Sequence, residues 1–230
     1  MTEYQLAFIE LAIARGALAF GRFTLKSGRE SPYFFNAGIF SDGAAAATLG
    51  RCYADALMRS GLAFDMLFGP AYKGIPLVTA TSIALAELHG RSVPYAYNRK
   101  EAKGHGEGGL TVGNPISGRV VIVDDVISDG AAKREAIELI RAAGAEPAAI
   151  LLALDRQERG EGERSAVEEV EIRFGVPCVS IVTLDELIAA LSRGTGAAKQ
   201  ISAEQLTSLK AYRDRYGVQR DLPRADARSK

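Results

Sequence analysis

Val120-Val121-Ile122-Val123-Asp124-Asp125-Val126-Ile127-Ser128-Asp129-Gly130 joins an apolar, β-branched run to two adjacent carboxylates and then to a Ser/Gly turn. Neighbouring side chains at a strand end point to opposite sides, so Asp124 and Asp125 can each accept hydrogen bonds from one hydroxyl of a vicinal diol. The turn that follows leads into a helical pattern. It presents successive backbone N–H groups at a helix N-terminus, a natural cradle for a phosphate. A diol beside a phosphate is the chemistry of a ribose 5-phosphate. Two carboxylates next to a buried strand need a partner or a ligand, because unpaired buried charge is costly.

Phe68-Gly69-Pro70-Ala71-Tyr72-Lys73-Gly74-Ile75-Pro76 is a second segment of this kind. Its glycines allow the backbone to come close to a ligand, Lys73 brings a point charge, and Pro76 suits a first helical turn. A diphosphate would fit it. In Arg99-Lys100-Glu101-Ala102-Lys103-Gly104-His105-Gly106-Glu107-Gly108-Gly109, three cations and a histidine precede glycines with little to pack. Such a loop is expected to be mobile in the free protein and to order over an anion, neutralising a leaving diphosphate and excluding water. Taken singly, these segments have plainer accounts: a capped helix, a βα turn with a surface lysine, a solvated charged hairpin. Their joint presence favours a phosphorylated ligand. Neither the Gly-x4-Gly-Lys-Ser/Thr loop nor the Gly-x-Gly-x-x-Gly dinucleotide turn is present.

The elements that must hold these segments alternate. Thr2–Ala17 has Leu6, Ile9 and Ile13 at helical spacing, and two short extended pieces around a turn follow in 20–33. Ala44–Arg59 reads as a helix with Leu49, Tyr53 and Leu57 on one side. Strands are expected at 64–68, 93–97, 119–123, 148–154 and 176–182, with helices at 75–88, 131–143 and from Leu184 to about Leu191. Thr183-Leu184-Asp185-Glu186 and Ser202-Ala203-Glu204-Gln205 are capping boxes, the second opening a final helix with Leu206, Leu209 and Tyr216. Gly194-Thr195-Gly196 reads as a flexible connection. Strands apolar on both faces alternating with helices imply an open α/β fold. Its mostly parallel twisted sheet has helices on both faces and ligands at the C-terminal strand ends.

The 230 residues are 47% hydrophobic and 24% charged, as in ordinary globular domains, and can bury a sizeable core. Lys+Arg and Asp+Glu are 28 each, which argues against a general nucleic-acid binder, since such a protein carries a basic footprint. Cys52 and Cys178 form no CxxC pair, and with His89 and His105 they give little material for a transition-metal site, so no protein-borne metal site is expected. No run is long enough to span a membrane, and Glu3 and Glu10 stand where a signal peptide needs cations. The expected location is the cytoplasm, with no membrane partner.

The Asp-Asp string resembles the phosphoribosyl-diphosphate motif of type I phosphoribosyltransferases. With the Gly69–Pro76 and Arg99–Gly109 segments it resembles one branch closely, the orotate phosphoribosyltransferases. Phe23–Gly28, Ser31–Asn36 and Leu154–Gly160 add further likeness, and the resemblance runs from the N-terminus to about Gly217. It implies one phosphoribosyltransferase domain over 1–217, with an N-terminal hood at about 1–40 and a disordered tail at 218–230. Asp124 and Asp125 would hold the ribose hydroxyls, and Val126, Ile127, Ser128, Asp129, Gly130, Ala131 and Ala132 would wrap the 5-phosphate. Tyr72, Lys73 and Lys26 would lie against the diphosphate, with Arg99, Lys100, Lys103 and His105 closing over it. Lys103 is the first choice for stabilising the leaving group. Phe34, Phe35, Ser128 and Arg156 would surround orotate, Arg156 matching its carboxylate with a guanidinium fork. On composition alone the two phenylalanines fit core packing equally well, and Arg156 an ion pair with Glu158 or Asp155. The family likeness also implies Mg2+ held mainly by substrate oxygens, and a homodimer with a shared active site. The implied reaction transfers phosphoribosyl to N1 of orotate, in de novo pyrimidine (UMP) synthesis.

The chain departs from the family where Ser128-Asp129-Gly130-Ala131 replaces the common Thr-Ala-Gly-Thr. Ala131 lacks a hydroxyl, and Asp129 brings a negative charge near the expected phosphate. Two alternatives remain open: a transferase for another nucleobase, and a regulator that binds phosphoribosyl diphosphate without turnover.

Overall fold

The structure, a computed structural model, describes residues 1–25, 28–103, 109–127, 131–160, 162–194 and 196–218. Lys26, Ser27, 104–108 with His105, Ser128, Asp129, Gly130, Glu161, Thr195 and 219–230 lie outside the described residues.

The chain runs α1 (Glu3–Ala14), β1 (Leu18–Thr24), β2 (Glu30–Phe35), α2 (Gly43–Arg59), β3 (Met66–Gly69), α3 (Gly74–His89), β4 (Tyr95–Lys103), β5 (Gly109–Gly113) and β6 (Arg119–Asp124). It continues with α4 (Ala131–Ala142), β7 (Glu146–Asp155), α5 (Ala166–Phe174), β8 (Cys178–Thr183), α6 (Leu184–Ser192) and α7 (Ala203–Tyr216). The main sheet has the order β5-β4-β3-β6-β7-β8, parallel except for β5. β1 and β2 form a separate antiparallel pair at the N-terminal side of the chain.

Period-two alternation in β6 divides the core. Val121 and Val123 pack with Leu49, Tyr53 and Leu57 of α2 and Val78 and Leu85 of α3, in a core that α1, α6 and α7 also join. Val120 and Ile122 face the other way, onto Ala136, Ile137 and Ile140 of α4 and Val167 and Val170 of α5. Helices on both faces make these strands apolar throughout, as the sequence predicts. α2 and α3 pack closely because Gly50 has no Cβ: one built there would stand 2.5 Å from the Ala80 carbonyl oxygen.

Several sequence expectations need correction. On α1 the buried stripe is Gln5, Phe8, Ile9, Ala12 and Ile13, while Leu6 is 39% exposed. The expected Gly194–Gly196 connection has Thr195 outside the described residues, and a 3-10 turn (Gly196–Gln200) follows it. β5 and α5 were not legible from the strand and helix patterns, although Ser165-Ala166-Val167-Glu168 caps α5 with the same box that opens α6 and α7. The Val218 N–H donates to the Gln157 carbonyl at 2.8 Å.

Candidate active site

Strand order reverses between β3 and β6. The chain leaves β3 through α3 toward β4 on one side, and leaves β6 through α4 toward β7 on the other. The loops after β3 and β6 therefore part over opposite faces and leave a crevice at the carboxyl ends of these strands, the usual ligand position in open α/β sheets. The 69–74 loop and the acidic pair lie on its two walls.

Asp124 and Asp125 are each 6% exposed, and both are paired. Asp124 Oδ2 accepts from Lys133 Nζ at 2.5 Å, and its Oδ1 accepts from the Asp125 N–H at 2.9 Å. Asp125 Oδ2 accepts from Lys73 Nζ at 2.8 Å, and its Oδ1 from the Val126 N–H. Burial pushes the Asp124 carboxyl above its ordinary range; Lys133 opposes that, and Asp125 adds to it. Each carboxylate oxygen still has a lone pair free for a further donor. The strand end is fixed from α2, where the buried Tyr53 hydroxyl donates to the Asp124 carbonyl at 2.8 Å.

The β3–α3 loop doubles back tightly. A Cβ on Gly69 would stand 2.3 Å from the Gly74 carbonyl oxygen, so only glycine allows this return. The Ala71–Tyr72 peptide is cis. The loop is tied to the neighbouring strand by the Ala71 N–H, which donates to Asn98 Oδ1 at 2.8 Å. Tyr72 is 67% exposed, with Lys100 Nζ 5.3 Å from its ring centre. Between loop and strand lies a cavity of about 360 Å3, lined by Tyr72 and Ile75 on one side and Tyr97 to Glu101 on the other.

Arg99, Lys100 and Lys103 fall within β4 rather than in a free loop: Asn98 pairs with Thr111, and Lys103 with Gly109. The cationic segment is thus the arm of a hairpin whose far strand, β5, is the sheet edge. His105 lies outside the described residues, as do Lys26 and the Ser128–Gly130 turn. Beyond that turn, Ala131 and Ala132 open α4, while Val126 and Ile127 precede it.

Phe34 and Phe35 go to opposite faces of β2. Phe34 is 42% exposed and stacks on Phe23 at 5.7 Å, whereas Phe35 is in the core against Phe8 and Phe40. Arg156 stands just past β7. Its Nε and one terminal nitrogen donate to Glu158 Oε1 at 3.0 and 2.8 Å, and its guanidinium lies 4.5 Å over the buried Tyr33 ring. Tyr33 donates to the same Glu158 oxygen at 2.9 Å. The ion pair with Glu158 is thus present, but it is nearly buried, with side chains 17% and 12% exposed.

Lys133, Tyr53 and Asn98 are the site residues that sequence reasoning missed. Lys133 had a signal: it shares a helical stripe with Ala136, Ile137 and Ile140, and a cation on an apolar stripe implies a buried anion.

A family model described as phosphoribosyl transferase domain matches residues 39–179. The orotate phosphoribosyltransferase of Klebsiella pneumoniae (strain 342) is 58% identical over 218 residues, covering 95% of this chain and 100% of that protein. The chain belongs to the orotate phosphoribosyltransferase family. The family's protein from Pseudomonas aeruginosa (strain PAO1) is 56% identical over the same coverage. A crystal structure of the Francisella tularensis orotate phosphoribosyltransferase matches with a TM-score of 0.80 at 37% identity, over 92% of this chain and 99% of that one. The structure of Leishmania donovani UMP synthase matches over 91% of this chain but 41% of that chain, with a TM-score of 0.72 and 26% identity. The α/β architecture expected from the sequence is the architecture of the family.

Proposed function

We propose that the protein transfers phosphoribosyl from 5-phosphoribosyl 1-diphosphate to N1 of orotate, releasing diphosphate and forming orotidine 5′-phosphate for pyrimidine synthesis. The observation that carries this is the switch-point crevice: a paired, buried Asp124–Asp125 faces a Lys73-bearing glycine loop, in a chain that matches orotate phosphoribosyltransferases over nearly its whole length.

The C1–diphosphate bond breaks with oxocarbenium character, so the protein acts by positioning and electrostatics. Asp124 and Asp125 take the ribose hydroxyls on their remaining lone pairs. The 126–132 turn and the α4 N-terminus take the 5-phosphate. Lys73 leaves Asp125 for the diphosphate, joined there by Tyr72, Lys26, Arg99, Lys100, Lys103 and His105. Phe34 offers its exposed ring to the base and Ser128 a hydroxyl. Phe35 supports the segment from within the core. The Arg156 donors left free by Glu158 take the orotate carboxylate.

Mg2+ belongs to this reading as a charge-neutralising ion on the substrate. No group of three or more His, Cys, Asp or Glu among the described residues could hold a metal, and both crevice carboxylates are engaged by lysines. In this reading the ion would be held mainly by substrate oxygens and would supply charge neutralisation there. A homodimer sharing its cationic hairpin is also proposed. It is favoured by the exposed Ile83 and Leu88 on α3 and Leu110 on β5, apolar side chains that a second copy could cover. A cytoplasmic location is proposed as well, in accord with Cys52 and Cys178 lying outside any disulfide. No described helix is long and apolar enough to cross a membrane.

The test is loss of orotate absorbance on mixing protein, Mg2+, phosphoribosyl diphosphate and orotate, with uracil and a purine as controls. Orotate-specific loss with diphosphate release is expected. Tight binding without turnover of any base would point to a regulator, and turnover of another base alone would point to a different transferase.

A further inference from the structure

Two lysines neutralise the crevice carboxylates, and they are not equivalent. Lys73 comes from a loop and its side chain is 55% exposed. Lys133 comes from the first turn of α4 and its side chain is 6% exposed. Lys133 Nζ donates to Asp124 Oδ2 and to the Val126 carbonyl, each at 2.5 Å, joining the ribose carboxylate to the first residue of the phosphate turn. A cation in the first turn of a helix opposes the helix dipole, and a lysine this buried carries a desolvation cost. Helix formation therefore gives no reason for its place; Asp124 and Val126 do. The same turn departs from the family in Ser128-Asp129-Gly130-Ala131, adding an acid and losing a hydroxyl.

We propose that Lys133 is a positioning residue of the ribose-phosphate site, a permanent counter-ion that keeps Asp124 charged and aimed while Lys73 is the exchangeable one. The proposal rests on the phosphoribosyl-diphosphate reading of the crevice. Lys133 touches no substrate; it acts through Asp124 and through the Val126 backbone. The other groups around Asp124 are Asp125 beside it, Lys73 acting through Asp125, and the Tyr53 hydroxyl on its carbonyl. On β7 the residue opposite Asp124 is Leu152, which carries no charge.

The test compares Lys133→Met, Lys133→Gln and Lys133→Arg with the unaltered protein, by steady-state kinetics against pH, calorimetric binding of phosphoribosyl diphosphate and thermal denaturation. In Lys133→Met, KM for phosphoribosyl diphosphate should rise about tenfold or more, from loss of a charged hydrogen bond. KM for orotate should change several-fold less, because Arg156 and Phe34 lie on other elements and only Ser128 belongs to the turn that Lys133 holds. Without Lys133 the Asp124 carboxyl stays protonated to higher pH, so the acid limb of kcat/KM for phosphoribosyl diphosphate should move upward in pH. Lys133→Arg should recover part of the loss. If Lys133→Met does not fold, Lys133→Gln decides, since it can keep the hydrogen bonds but not the charge. An unchanged acid limb and KM in a folded variant, or equal losses for both substrates that follow Tm, would overturn the proposal. If the unaltered protein binds phosphoribosyl diphosphate but turns over no base, the transferase reading fails and the binding comparison still decides Lys133. If it does not bind, both fail.

Discussion

Lys73 Nζ lies 2.8 Å from Asp125 Oδ2, bridging the two walls of the crevice. The charge that would meet a diphosphate is stored on the carboxylate that would meet the ribose. A half-exposed pair of this kind adds little to stability, about 0–1 kcal/mol. Lys73→Ala should therefore leave Tm nearly unchanged while KM for phosphoribosyl diphosphate rises about tenfold. The rise should shrink as salt is added, because part of the attraction is screened. A fall in Tm with unchanged KM would assign Lys73 to the fold instead.

Lys103 pairs through its backbone with Gly109 at the outer end of the β4–β5 hairpin. Lys103→Ala should lower kcat by about 100-fold or more if its charge meets the leaving group in the transition state. The denaturation curve should be unaltered. Unchanged turnover would remove Lys103 from the mechanism.

Arg156 is held by Glu158 and stacked on Tyr33, a geometry that a lysine cannot copy. Arg156→Lys should raise KM for orotate by about tenfold or more, with KM for phosphoribosyl diphosphate little changed. Competition by uracil, which has no carboxylate, should be unaffected. Initial rates at varied concentrations of each substrate separate these effects. A change in the phosphoribosyl diphosphate KM alone would place Arg156 elsewhere in the site.

Tyr53 spans from α2 to the Asp124 carbonyl with a single buried hydroxyl. Tyr53→Phe removes one donor and leaves the ring in place. The expected cost is about 1–2 kcal/mol, a drop of several degrees in Tm. Because the same bond steadies the acidic pair, KM for phosphoribosyl diphosphate should rise by a few-fold. Thermal denaturation and kinetics on one preparation check both; a stable variant with unaltered kinetics would show that the backbone of β7 suffices to hold the strand end.

The elements that were easiest to read are those whose sequence period meets a simple environment. β3, β6 and β7 are covered on both faces, so their apolar runs are unbroken. β5 is short, glycine-bounded and at the edge, with its Leu110 exposed, so it carries little apolar pattern. The charged Arg99–Lys103 stretch reads as loop because its strand state comes from pairing with β5, a contact between segments rather than a preference of either. Phe34 and Phe35 look like one apolar pair in the sequence, but strand alternation divides them between surface and core.

By itself the sequence determined the chemical inventory and its order along the chain: the acidic pair, the glycine loop with Lys73, the cationic run, Arg156, and the alternation of elements that carries them. These are local properties, set by residue type, short spacing and hydrophobic period. Tertiary structure alone decided the partners. Lys133 is paired with Asp124, Lys73 with Asp125, Tyr53 with the Asp124 carbonyl and Asn98 with Ala71. Three of these pairs link residues far apart in sequence, and the fourth depends on how α4 turns back beneath β6. Such pairings follow from the reversal of strand order at β3 and β6 and from the need to neutralise charge once the crevice is closed off from water.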